Sequence, residues 1–169
     1  MATIAGERPH KISLAPSRID YVLAAASMVL LAFVLAAIIR GRGEWTQIPL
    51  VIWAHIATIL TALALTPVML VRRRGDRLHR RLGWVWAGAM ALTALMTFGI
   101  REINDGAFSP IHALSALTLT AVPWIVISAR RHQHARHRSA VRAMVTGALL
   151  IAGFFTFPFD RMLGSWLLG

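Results

Sequence analysis

Five apolar stretches, each about the ~20 residues needed to cross a bilayer, govern what this chain can become. They run over Tyr21–Ile39, Pro49–Val71, Leu82–Ile100, Ile111–Ala129 and Ala143–Phe159. A chain of 169 residues that is 57% hydrophobic and 15% charged has too little polar surface to enclose so much apolar sequence in water. The expected fold class is therefore all-α: an integral membrane five-helix bundle. Residues 1–18 form a cytoplasmic N-terminal segment, and residues 19–169 form the five-span membrane domain. The connections Arg40–Gln47, Arg72–Arg81, Arg101–Pro110 and Arg130–Arg142 are short, so successive helices are expected to be antiparallel neighbours.

The formal charge of +11 sits in short arginine runs between apolar stretches. That pattern sets membrane orientation and does not suggest nucleic acid. On the N-terminal side lie Arg8, Lys11, Arg18, the six arginines of Arg72–Arg81 and the five of Arg130–Arg142; Arg40, Arg42, Arg101 and Arg161 lie on the other. Fourteen against four predicts a cytoplasmic N-terminus and an outer C-terminus. Trp45, Trp53 and Trp166 are expected at the outer interface, and Trp84 and Trp86 at the inner one. With no cysteine, disulfides, iron–sulfur clusters and covalently attached haem are excluded. No P-loop, dinucleotide fingerprint, zincin motif or nucleophile elbow is present.

Within this frame one pattern recurs. His55 opens the second span and His112 the fourth; Leu60/Leu117, Thr61/Thr118, Ala64/Ala121, Arg73/Arg130 and Arg74/Arg131 follow in the same register. A one-residue slip then aligns His79-Arg80 with His137-Arg138. The chain thus reads as a duplicated helical hairpin, about 49–100 and about 109–160. Pro67 and Pro123 fall at nearly equivalent places, where each removes an amide donor.

Helical rise puts His55 about 25 Å from Arg72, inside the outer half of the membrane. An ionisable side chain there is costly and marks a functional candidate. The expected arrangement is an outer pair, His55 with His112, and an inner pair, His79 with His137. Facing imidazoles can clamp a haem iron from both sides, which favours electron transfer over oxygen chemistry. Small residues around them (Ala54, Ala57, Thr58, Ala113, Ser115 and Ala116) leave room for a flat macrocycle, and nearby arginines can neutralise its propionates. Arg161, in the Asp160-Arg161 pair that ends the last span, is an anchor candidate, and Glu102 is a candidate to orient an outer histidine. The run His132-Gln133-His134 is expected to be a solvated loop with weak metal-binding capacity, and His10 to be inert.

The run Trp53-Ala54-His55, the joint Arg72-Arg73-Arg74-Gly75-Asp76-Arg77-Leu78-His79-Arg80-Arg81-Leu82-Gly83, and Arg136-His137-Arg138-Ser139-Ala140-Val141-Arg142 resemble a bacterial membrane family known as domain of unknown function 2306. The resemblance spans about Val51 to Arg161 and implies a bacterial inner membrane. After the last histidine that family is expected to carry an aromatic-methionine pair, where this chain has Ser139-Ala140-Val141-Arg142. The layout also resembles the ascorbate-reducible transmembrane cytochromes b. That likeness implies haem b ligands at His55 with His112 and at His79 with His137, and helices paired one-and-three and two-and-four. The expected activity is transmembrane electron transfer from quinol or a redox partner protein. The alternatives are a non-catalytic factor assisting assembly of haem or copper enzymes, and a cofactor-free transporter-like or lipid-binding bundle.

Overall fold

A computed structural model describes residues 15–100, 110–159 and 161–169. Every regular element among them is helical. Helix α1 covers Arg18–Arg40 and runs into a 3-10 segment, Gly41–Gln47. Helices α2, Leu50–Val71, and α3, Arg77–Thr97, follow. Then come α4, Pro110–Arg130, and α5, His134–Met144. A π-helical turn, Val145–Ile151, extends α5 into the short α6, Ala152–Phe154, and α7 occupies Met162–Leu168.

Consecutive helices pack side by side from α1 through α5, and the π-helical turn returns onto α1. The result is a ring of helices around a core that includes Leu63, Leu70, Trp86, Met90, Ile125, Val145 and Leu149. Both arginine-rich turns, α2–α3 and α4–α5, fall at the end where α1 begins, called here the basic end. The far end carries the 3-10 segment and α7, whose Trp166 is buried and donates its Nε1–H to Glu44 Oε2 at 3.0 Å.

Three helical stretches are long and apolar enough to cross a membrane: Arg18–Gln47, Leu50–Val71 and Ile111–Arg130. The reason α3 and α5 differ is visible at their starts. Helix α3 opens five residues before the apolar run, because Asp76 caps it by accepting the His79 amide at 2.6 Å. Helix α5 opens at His134, nine residues before Ala143, and carries Arg136, His137 and Arg138 in its first two turns and Arg142 in its last. Apolar runs and helices are therefore offset here, since capping is done by polar groups. Large apolar side chains such as Val22, Val29, Phe33 and Ile39 on α1, and Leu92, Leu95, Leu117 and Phe154 elsewhere, remain exposed. Surface of that kind suits lipid better than water.

Pro67 and Pro123 both lie inside uninterrupted helices. The tryptophans divide differently from a simple belt. Trp84 is 61% exposed, whereas Trp86 is buried and donates to Thr66 Oγ1 at 3.0 Å, so α3 turns one indole outward and the other into the core. Trp45 stacks edge-on against Trp53, with ring centroids 5.4 Å apart. Trp166 faces protein and leaves the belt as well.

Candidate functional site

The basic end is organised by a carboxylate. Ser17 and Asp20 form the capping box of α1, with the Ser17 amide donating to Asp20 Oδ2 at 2.7 Å. Asp20 is fully buried and accepts from three arginines: Arg74 Nη2 at 2.7 Å, Arg138 Nη2 at 3.0 Å and Arg142 Nε at 2.8 Å. One acid thus ties the start of α1 to the α2–α3 turn and to α5. Arg72 instead pairs with Asp76 within its own turn, at 2.7 Å.

A cavity of about 840 Å³ opens beside this cluster, between α2, α3, α4 and α5. Its apolar wall includes Met69, Leu70, Trp86, Ala87, Val126 and Val145; its polar wall holds Asp20, six arginines and four histidines. His79 and His137 both line it, contributed by the first turns of α3 and α5. The His137 ring contacts the Ile125 carbonyl through Nδ1 at 3.0 Å, so Nδ1 carries the proton and Nε2 keeps its lone pair. His79 Nδ1 is buried and has no hydrogen-bond partner. Burial holds the His79 pKa below the usual histidine range, and the nearby His137 and Arg74 lower it further. Burial likewise lowers His137, against the opposing pull of the Ile125 carbonyl. Both imidazoles are therefore neutral at physiological pH, the form that ligates a metal.

The turn before α5 has an unusual residue at its pivot. Helix α4 ends in a Schellman arrangement, with Gln133 N–H donating to Ser128 O at 2.9 Å and His132 N–H to Ala129 O at 3.1 Å. The residue that must turn left-handed is His132, with φ of 55°, where glycine is usual. In the other turn Gly75 supplies the left-handed conformation, with φ of 88°. His132 and His134 are exposed at the cavity edge, with ring centroids 6.1 Å apart. Among the described residues no group of three or more histidines and acids is placed to hold a metal ion.

The far-end histidines are arranged differently. His55, on α2, is partly buried against the Thr93 backbone of α3, and its Nδ1 has no partner. One turn along, Thr93 Oγ1 donates to Thr58 Oγ1 at 2.8 Å, joining the two helices. His112, on α4, is 4% exposed and packs on Phe98, 5.8 Å between ring centroids. Phe98 follows the last turn of α3, so His112 packs just beyond the end of that helix, whereas His55 meets it within the helix at Thr93. Arg161 precedes α7, where its carbonyl accepts from the Ser165 amide at 2.8 Å; it does not line the basic-end cavity. Asp160, Glu102 and His10 lie outside the described residues.

Counting spans and charges gives Asp20, one residue before the first apolar stretch, no weight and reads the arginines as orientation signals alone. The available signal was an acid at the head of an apolar helix in a chain with 7 acidic residues against 18 basic ones. No protein-family model, curated protein or solved structure matches this chain.

Proposed function

We propose that this chain is a five-span protein of the bacterial cell membrane, with the basic end in the cytoplasm, that binds haem b at the basic-end cavity and carries electrons across the membrane. The observation that carries the reading is His137. Its Nδ1 is fixed on the Ile125 carbonyl, which orients the ring and leaves Nε2 free beside a cavity that His79 also lines. A backbone-oriented imidazole is how proteins prepare an axial ligand. The residues fit the group in three further respects. The cavity lies within the ~300–1,000 Å³ of ordinary cofactor sites, its inner wall is apolar, and its arginines suit two carboxylates.

When bound, haem b supplies a one-electron iron couple. The protein's own part is to hold His79 and His137 neutral, to exclude water along Met69, Leu70, Ala87 and Val145, and to balance acidic groups with arginine. His55 and His112 are proposed as the second ligand pair. The hairpin duplication supports that proposal, as does the cost of an imidazole within a span. The proposed kinship with the domain of unknown function 2306 family is drawn from the quoted motifs alone, and fourteen basic residues against four support the orientation.

The half-open cavity edge, with exposed His132 and His134, also favours a second reading: a membrane assembly factor that holds haem or copper briefly before passing it on. A visible spectrum of dithionite-reduced protein, expressed with haem supplied, tests both. Sharp b-type bands that vanish in His79→Ala or His137→Ala support the electron carrier, and His55→Ala reports on the far-end pair. Loosely held haem or copper lost on gel filtration supports the assembly factor. A wild-type spectrum without haem bands removes the electron-transfer reading.

A further inference from the structure

The geometry points to a copper(II) site at the mouth of the basic-end cavity, with His132 and His134 as its two protein ligands and water in the remaining positions. It rests on the second reading given above, in which this edge holds a metal, and does not involve haem. The turn between α4 and α5 brings the two histidines together. Gln133, with φ of −83° and ψ of 66°, makes an inverse γ-turn in which the His134 amide donates to the His132 carbonyl at 3.0 Å. The ring centroids end 6.1 Å apart. Two imidazoles sharing one ion, each with a nitrogen about 2.0–2.1 Å from it, place their centroids roughly 5–6.5 Å apart. Both residues are exposed, so the rings can turn toward a common ion without disturbing the core. They stand between two spaces: the main cavity, which they line with the less exposed His79 and His137, and an outer cleft of about 290 Å³. An imidazole is kept at the left-handed pivot although glycine would adopt that backbone more easily, and strain of this kind gathers at ligand sites. The cleft is lined by His132, Gln133, His134, Ala135 and Arg136 and by no acid, so magnesium and calcium find no carboxylate there. Arg136 disfavours every cation alike, which leaves the bond to imidazole to discriminate. Among divalent metals that suit imidazole, copper(II) forms the strongest such bond.

Electron paramagnetic resonance of the full chain in neutral detergent, titrated with copper(II) sulfate, tests the site. The parent is expected to bind one copper with nitrogen couplings from two imidazoles, to bind zinc(II) more weakly in competition, and to ignore magnesium(II). His132→Gly and His134→Gln are each expected to weaken copper binding at least about tenfold, since loss of an outer-shell partner alone costs that much, and to reduce the coupled nitrogens from two to one. His132→Gly also separates ligation from structure. Glycine suits the turn, so this variant should melt no lower than the parent while losing the metal. His10→Ala, His79→Ala and His137→Ala are expected to leave the copper signal unchanged. Copper binding that survives both turn variants overturns this site; if it is lost instead in His79→Ala or His137→Ala, the assembly-factor reading stands without it. A parent that binds no copper overturns the site and the copper form of that reading together, and leaves the haem bands to decide on the electron carrier.

Discussion

Replacing Asp20 with alanine is the most direct test of how the basic end is held. Asp20 is fully buried, and the side chains of Arg74, Arg138 and Arg142 are 13%, 21% and 24% exposed. Removing the acid leaves three like charges facing one another with partial access to water. Breaking a buried ion pair from one side costs about 3–5 kcal/mol. The arginines can relax outward, so the lower figure applies. The capping box of α1 is lost as well, which adds about 1 kcal/mol. A total near 4 kcal/mol corresponds to a fall in melting temperature of roughly 8–16 °C for a domain of this size. Differential scanning fluorimetry in detergent reads it directly. Asp20→Asn retains one acceptor oxygen and is expected to fall between the parent and Asp20→Ala. A double-mutant cycle sharpens the test. In the Asp20→Ala background, Arg142→Gln should cost at least about 1 kcal/mol less than it does in the parent, because its partner is already gone. An Asp20→Ala protein melting within a degree or two of the parent, with additive cycles, would show that the cluster contributes nothing and that the argument from burial fails.

Three other outcomes follow from the same geometry. His79 and His137 titrate below their unfolded value near 6.5, so the fold favours their neutral forms. Their contribution is present above about pH 6.5 and is lost as pH falls through the lower folded values, so the parent should lose stability in the window below about pH 6.5. The double variant His79→Ala/His137→Ala should show a flatter profile over that window. His132→Gly removes a left-handed histidine and is expected to raise stability by about 1 kcal/mol, seen as a melting temperature a few degrees higher. Gly164→Ala would drive a Cβ into the Phe157 carbonyl, which is backbone and cannot swing aside. It should therefore detach α7 and raise the rate of proteolysis after residue 160, with little change at the basic end.

Much of the helical layout was legible because apolar runs of span length admit few structures. The α2 and α4 boundaries agree with the spans to within a residue at each end. What lay beyond reading was wherever polar chemistry decided the outcome. Asp76 starts α3 inside an arginine run by accepting the His79 amide three residues on, and His134–Arg142 is helical despite its charge, because its inner side meets Asp20, more than a hundred positions away, and the Ile125 carbonyl of α4. The π-helical turn has no periodic signature in a stretch of uniform small and apolar residues, and α7 depends on a contact with the 3-10 segment 122 positions away. Among the histidines, recurrence pointed to all four candidates. Which pair borders a cavity depended on the turns, whose left-handed pivots could not be read from span patterns.

The π-helical turn bears on how the two ends of the molecule communicate. Val145 faces the basic-end cavity, whereas Ile151 leads through α6 toward the segment that carries α7. A wide turn fits one more residue into each loop of hydrogen bonds than an α-helix does, so closing it would rotate everything beyond it by about 100° relative to α5. Any ligand pressing on Val145 thus acts on a stretch where a local change of winding would alter how the far-end cap sits.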